Sequence, residues 1–380
     1  MSQNNASPRD HTSDWEAFFF EDDPSELEAA AEEDDPSDPE DFTEQGLNAK
    51  KVALCISRSV VSLVSSVDGN ILFACTGTVV DHVGSATWIL TSATLVRKPG
   101  TDYDAYQGGE VKIEVLLHNK RAIDGCIAMC NLQYNIAVVT VESQLDLPMV
   151  ALNDLPGCYS TLVRPVIAVG RDSKSQGLLV RHGDMIRERS KLDCSELLVC
   201  TCPVSKMFIG GLVMDFERRI IGISFFGKDI TPVLPIDIAA RCLQHFKYFG
   251  TLKQPPLCIR GHALHSLELS NLEKICYRCP DLSTGIVVHQ IPEVLSANCG
   301  GIEVGDIICS IDGVVLHSVA QLTGILLDGM VVAGSSKNRV ILQAGIRRPS
   351  DNTKFVAMLN MWENPSVDRD NFFCNRWMLP

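Results

Sequence analysis

From residue 51 to about residue 235 the chain reads as short apolar runs broken by turn residues. The runs are "SVVSLVSSV", "ILFACTGTVV", "TWILTSATLV", "VKIEVLLHN", "NIAVVTVE", "TLVRPVIAVG", "ELLVCTCPV" and "RIIGISFFG", with Gly, Asp and Asn marking the breaks. Many β-rich runs at close spacing, without a long amphipathic helix between them, predict antiparallel barrels or sandwiches. "PIDIAARCLQHFKYFG", residues 235–250, changes period. Its apolar positions recur at helical spacing, Asp237 is an early acid, and Gly250 is a stop. Pro255-Pro256 then predicts a linker.

A second unit follows. "TGIVVHQI", "GDIICSIDGVVL", "RVILQAGIRR" and "KFVAMLNMW" predict strands, and "SVAQLTGILLD" predicts a helix opened by Ser318. Residues 363–380 show no clear pattern.

The beginning of the chain differs in kind. Residues 1–50 carry 16 acids and two bases, which leaves 31 bases and 31 acids for the other 330 residues. The net charge of −14 thus belongs to one segment. Residues 1–48 predict a disordered acidic tail punctuated by Pro24, Pro36 and Pro39. The aromatic cluster Trp15, Phe18, Phe19 and Phe20 within it is either a docking motif for a partner or part of a solubilising tail. A body with balanced charge lacks the basic excess of a nucleic-acid surface, so no nucleic-acid partner is expected.

Hydrophobic residues make up 46% of the 380 positions, enough for two or three cored units. No apolar run is long enough to span a bilayer, and the first residues do not read as a secretory or transit signal. Fifteen cysteines, an odd number, then read as reduced thiols. A cytoplasmic or nuclear location and no membrane partner are the expectations.

Four segments carry a specific resemblance. "SVVSLVSSVDGNILFACTGTVVDHVGSATWILTSATLV", "IEVLLHNKRAIDGCIAMCNLQYNIAVVTVE", "VIAVGRDSKSQG" and "KMFIGGLVMDFERRIIGISF" occur in that order. Together they resemble the trypsin-like domain of the HtrA (Deg) family, the ATP-independent Do-type serine proteases. "TGIVVHQIPEVLSANCGGIEVGDIICSIDGVVLHSVAQL" resembles that family's PDZ domain, with Gly301, Gly305, Asp306, Ile308, Ile311 and Gly313 at the pattern positions. The resemblance implies an all-β-dominated architecture. A disordered acidic tail (1–48) leads into a trypsin-like double β-barrel (49–252). A PDZ-like α+β domain (256–350) follows, then a strand and tail (351–380).

The family's catalytic histidine falls on Thr94 in "LTSAT", its aspartate on Asn135 in "QYNIAVV", and its serine on Ile209 in "MFIGG". Serine attack needs a nucleophilic oxygen, a base and a carboxylate that orients the base. Ile209 offers no nucleophile, Thr94 is no base near neutral pH, and Asn135 cannot stabilise an imidazolium. Met207 replaces the glycine whose N–H helps form the oxyanion hole, and Leu212 replaces the usual proline. Catalytic residues are therefore expected to be none. Ser205, Cys202 and Ser92 are the alternative nucleophiles nearby, and no histidine falls near the site in the matched segments, the resemblance putting His118 and His182 on other strands or loops. The fold alone would suggest the rival reading, an active serine endopeptidase.

What the resemblance leaves is peptide binding. PDZ domains add a peptide C-terminus as a strand and hold its carboxylate with backbone N–H groups. Gly261, His262, Ala263 and Leu264 in "IRGHALHSL" are expected to form the carboxylate loop and pocket wall. The implied partners are peptide or protein C-termini, and homo- or hetero-oligomers with related chains, whose active members the protein would regulate. His262-x₂-His265 and Cys276-x₂-Cys279 have zinc-ligand spacing, but the family pattern needs no zinc there. No metal and no cofactor are expected.

Overall fold

The computed structural model describes residues 43–99, 101, 104–142, 145–152, 164–250, 259–291, 300–335, 340–361 and 376–377. The aromatic cluster at 15–20, most of the acidic tail and the Pro255-Pro256 linker lie outside the described residues.

Two closed barrels and a third sheet make up the molecule. Strands β1 (Val60–Val67), β2 (Asn70–Val83), β3 (Ala86–Ser92), β4 (Lys112–Leu116), β5 (Ala122–Asn131) and β6 (Ile136–Val141) close the first barrel in the order β1-β2-β3-β6-β5-β4. Strands β7 (Arg164–Arg171), β8 (Leu178–Ile186), β9 (Leu198–Cys200), β10 (Leu212–Asp215), β11 (Ile220–Ser224) and β12 (Thr231–Pro235) close the second as β10-β11-β12-β9-β8-β7. This is the trypsin-like double barrel that the sequence resemblance implied. Closure leaves no sheet edge exposed, so every strand can be apolar on its inner face.

One buried cluster runs through both barrels. It is sealed at one end by helix α1 (Glu44–Ala53), which buries Ala49, Val52 and Ala53. That helix starts inside the segment assigned to the acidic tail. Thr43 caps it, accepting from Gly46 N at 3.0 Å. Helix α2 (Ile236–Phe249) follows β12, as the sequence predicts, and ends at Gly250, whose φ of +67° only glycine adopts without strain.

The third sheet contains β13 (Arg260–Ala263), β14 (Ile286–Gln290), β15 (Ile307–Ile311), β17 (Ile341–Arg348) and β18 (Thr353–Asn360), hydrogen-bonded in that order. The short β16 (Val314–Val315) pairs with β15. Strand β18 pairs with β17 through eight residue pairs. The strand expected after residue 350 is therefore part of this sheet. Helix α3 (Leu269–Arg278) lies between β13 and β14 in the chain and buries none of its residues. Helix α4 (Val319–Ser335) covers the sheet. Ser318 opens it as expected, accepting from Gln321 N at 3.1 Å. The pattern residues of this unit act structurally. Gly301, Gly305 and Gly313 all have positive φ, and Ile308 and Ile311 are fully buried. Asp306 is buried and takes a bidentate ion pair from Arg348, at 2.8 and 2.7 Å.

Helix α4 also joins the units. Ala320 and Leu327 enter the barrel core, Arg241 on α2 pairs with Asp328 at 2.8 Å, and His245 Nε2 meets the Leu327 carbonyl at 2.9 Å. Among the described residues no helix is long and apolar enough to cross a membrane.

Candidate functional site

The three seats lie on the seam between the barrels. Strand β3 delivers Ser92, and a single 3₁₀ turn, Ala93–Val96, carries Thr94. The β5–β6 turn ends at Asn135, which adopts a left-handed φ of +50° and takes a hydrogen bond from Ala93 N to its carbonyl at 3.1 Å. From the second barrel comes the turn Lys206–Phe208, followed by Ile209 and Gly210.

Thr94 and Asn135 meet. Asn135 Nδ2 donates to Thr94 Oγ1 at 3.0 Å, and Ser92 Oγ donates to the same oxygen at 3.0 Å. Arg97 Nη2 donates to Asn135 Oδ1 at 3.4 Å. Thr94 and Asn135 are only 5% and 4% exposed, so this is a buried hydrogen-bond network that contains neither an imidazole nor a carboxylate. The Ile209 side chain joins the barrel core at 2% exposure. No member of the three can accept or deliver a proton near neutral pH.

One oxyanion donor, the N–H at the serine's seat, is spent as well: Ile209 N–H donates to Lys206 O at 3.1 Å, while the next N–H, of Gly210, donates to Ser224 O at 2.9 Å. Met207 sits inside the 3₁₀ turn that makes the first of these bonds. An oxyanion hole needs such N–H groups aimed at the reacting oxygen, not at the protein's own carbonyls.

The alternative nucleophiles lack partners suited to chemistry. Ser92 is fully buried and caps the Thr94 turn, accepting from Thr94 N at 3.1 Å. The Ser205 hydroxyl is buried without a hydrogen-bond partner, hence without a base. The hydrogen bond with Cys200, and then burial, push the Cys202 thiol well up, away from the thiolate that attacks.

In the third sheet the structure corrects one expectation. Gly261, His262 and Ala263 belong to strand β13, not to a loop, and pair with Val288, Val287 and Ile286 of β14. Leu264 alone lies in the following turn, buried. Gly261 suits the strand because a Cβ there would stand 2.8 Å from the Val287 carbonyl. Among the described residues strand β13 is an edge of the sheet, paired with β14 alone.

The second barrel reaches β13 through residues that sequence reasoning missed. Asp193 pairs with Arg260. Ser195 Oγ lies 3.1 Å from His262 Nδ1, and Arg189 Nη2 lies 3.1 Å from His262 Nε2. His262 also stacks on His289 with ring centroids 4.5 Å apart. Burial first, then the Arg189 and His289 charges, push the His262 imidazole down to about 4, so it is neutral at physiological pH. These contacts join residues about 70 apart in sequence, and no local pattern announces them.

The zinc-spaced residues do not converge. Cys279 is buried between Asn352 Oδ1 and Arg347 Nε, both at 3.4 Å, while Cys276 is exposed on α3. Among the described residues no three His, Cys, Asp or Glu side chains are grouped to hold a metal.

Comparison with known proteins finds similar chains. A profile described as a trypsin-like peptidase domain matches residues 75–223. The chain is 25% identical over 282 residues to the putative protease Do-like 14 of Arabidopsis thaliana, covering 70% of this chain and 63% of that protein. It is 23% identical over 301 residues to the serine protease HTRA3 of Rattus norvegicus, covering 73% of this chain and 59% of that protein. The chain thus spans about three-fifths of the length of the curated relatives it matches. Among solved structures, the serine endoprotease from Yersinia pestis aligns with a TM-score of 0.49 and 16% identity, covering 82% of this chain and 96% of that one.

Proposed function

Given that the chain belongs to the HtrA/Deg family of trypsin-fold, Do-like proteases and their homologues, we propose that it works without proteolytic chemistry, as a binder of peptides or partner proteins through its PDZ-like unit. The observation that carries this reading is the pair formed by Thr94 and Asn135. They hydrogen-bond to each other where the family's base and orienting acid would stand, opposite the hydrocarbon side chain of Ile209. A triad that loses one member still keeps about 10³–10⁴ of rate over water, through the oxyanion hole and substrate binding. Here the Ile209 N–H is already bonded to Lys206 O, which removes a donor from that remnant.

Binding has fewer requirements than catalysis. A peptide added along an edge strand takes most of its affinity from backbone groups, so the groove tolerates side-chain change. Strand β13 offers such an edge. A peptide laid along it exchanges the contacts that Arg189, Asp193 and Ser195 make with Arg260 and His262. In the same reading, binding of protein C-termini or of related chains is how the protein regulates active relatives.

The test uses the full chain in two assays. It should take up no serine-directed fluorophosphonate and degrade no unfolded casein. It should also bind peptides with apolar free C-termini, and more weakly once the carboxylate is amidated. Labelling that Ser205→Ala or Ser92→Ala abolishes would overturn the first half and restore the endopeptidase reading. Equal binding of acid and amide peptides would overturn the second.

A further inference from the structure

Arg376 and Trp377 lie buried on the seam between the barrels, at 5% and 6% exposure. The Trp377 indole N–H donates to the Gln133 carbonyl at 3.1 Å. Its ring lies 4.5 Å from that of Phe225. Gln133 stands two positions before Asn135. Phe225 directly follows Ser224, whose carbonyl accepts from Gly210. The dipeptide therefore touches the first barrel through Gln133 and the second through Phe225, next in the chain to the seats of the lost chemistry.

Arg376 completes the contact. Its guanidinium pairs with the Glu196 carboxylate and lies 5.6 Å from the centre of the Tyr134 ring. Glu196 is 6% exposed and also accepts from Thr323 Oγ1 at 3.1 Å and from the Cys194 thiol at 3.5 Å. Burial pushes the Glu196 carboxyl up, but the Arg376 charge and hydrogen bond more than offset it and hold the group below its ordinary value. A buried carboxylate is costly without a cation. Among the described residues Arg376, 180 positions further along the chain, is the one cation paired with it.

We infer that this seam is a second peptide-binding site, built to take an arginine followed by a tryptophan, and that the chain fills it with its own Arg376-Trp377. Each part of the pair meets a matched receptor. The planar guanidinium finds a carboxylate and an aromatic face, a combination that lysine reproduces poorly. The indole finds a stacking ring and a backbone acceptor for its N–H. Arg and Trp are the side chains that most often anchor peptide and protein interfaces. An occupant on the same chain acts at an effective concentration of about millimolar, so a peptide from outside enters only when the internal one is removed. The site uses no side chain of β13 or of the triad seats, and its test does not depend on either.

A chain ending at Asp370 is titrated with a fluorescein-labelled peptide of residues 371–380 carrying Cys374→Ser, followed by fluorescence anisotropy. Saturable binding is expected, at least about tenfold tighter than to the full chain. A peptide with both Arg376→Ala and Trp377→Ala should bind at least about tenfold more weakly than the parent peptide. Glu196→Gln in the shortened chain should erase the preference for Arg over Lys at position 376 of the peptide. If circular dichroism shows that the shortened chain does not fold, the full chain with Arg376→Ala and Trp377→Ala takes its place. No saturable binding to a folded variant, or equal binding by the double-alanine peptide, overturns the site. Equal binding by the full and shortened chains overturns its internal occupancy.

Discussion

Gly210 tests what the Gly-Gly turn does in the seam between the barrels. Its φ is +79°, and a Cβ there would stand 2.5 Å from Thr76 O, 2.8 Å from Ser92 N and 2.8 Å from Thr91 Oγ1. All three atoms belong to the opposite barrel, and they are already tied: Thr91 Oγ1 donates to Thr76 O at 2.7 Å, and Thr76 N donates to Ile209 O at 2.9 Å. Gly210→Ala therefore carries two penalties. The left-handed backbone costs a residue with a Cβ about 1–2 kcal/mol. Overpacking a seam that cannot give costs about 1–3 kcal/mol more, for a total of about 2–5 kcal/mol. Gly69, in the β1–β2 turn, separates the terms, because its φ is +84° but nothing lies within 4 Å of its Cβ position. Gly69→Ala should lose only the backbone part, about 1–2 kcal/mol. Urea unfolding of the parent and the two variants gives both values. If Gly210→Ala lies within about 0.5 kcal/mol of Gly69→Ala, a margin within which surface changes usually fall, the seam does not require the glycine and the packing argument fails.

Two further outcomes follow from the buried charges and from the turn. Arg376→Ala should cost about 3–5 kcal/mol at pH 7, because it strands Glu196. In the parent the depressed Glu196 contributes fully above its ordinary carboxylate value and loses that contribution only as pH falls through the lower folded one; in the variant burial alone raises it. The gap in unfolding free energy between the two should therefore narrow from pH 7 to pH 5, and a gap that stays constant would contradict the assignment. Restoring the side chains by Thr94→His, Asn135→Asp and Ile209→Ser should leave fluorophosphonate labelling slow, since a missing oxyanion donor costs about 10²–10³ in rate. Adding Met207→Gly should raise it; equal rates with and without that change would show that the turn is not limiting.

What the residues encode locally could be read without the structure. Apolar runs at strand spacing bury a face by pairing into sheets, and they became the strands of the two barrels. Ser318 and Gly250 act within one helical turn, so the start of α4 and the end of α2 were visible. Thr94, Asn135 and Ile209 are read from motif order, and the structure brings Thr94 and Asn135 into contact. Where a competing local signal dominated, the reading failed. The acidic run hid the Thr43 cap, and with it helix α1. Helix α3 carries Leu269, Leu272 and Ile275 at helical spacing, a signal that was present and passed over, although none of its residues is buried.

The chain's own chemistry determined the fold class and the concentration of charge in residues 1–50. Tertiary structure decided the rest. Whether Gly261–Ala263 is loop or strand depends on pairing with β14, whose residues lie about 25 positions away. Whether the Ile209 N–H is free depends on a turn closed by the neighbouring backbone. Whether Glu196 finds a cation depends on Arg376, 180 residues further on. Periodicity reports which face of an element is apolar. It holds no record of which distant side chain a buried charge will meet, because the free energy of that contact exists only once the barrels, α4 and the segment carrying Arg376 have come together.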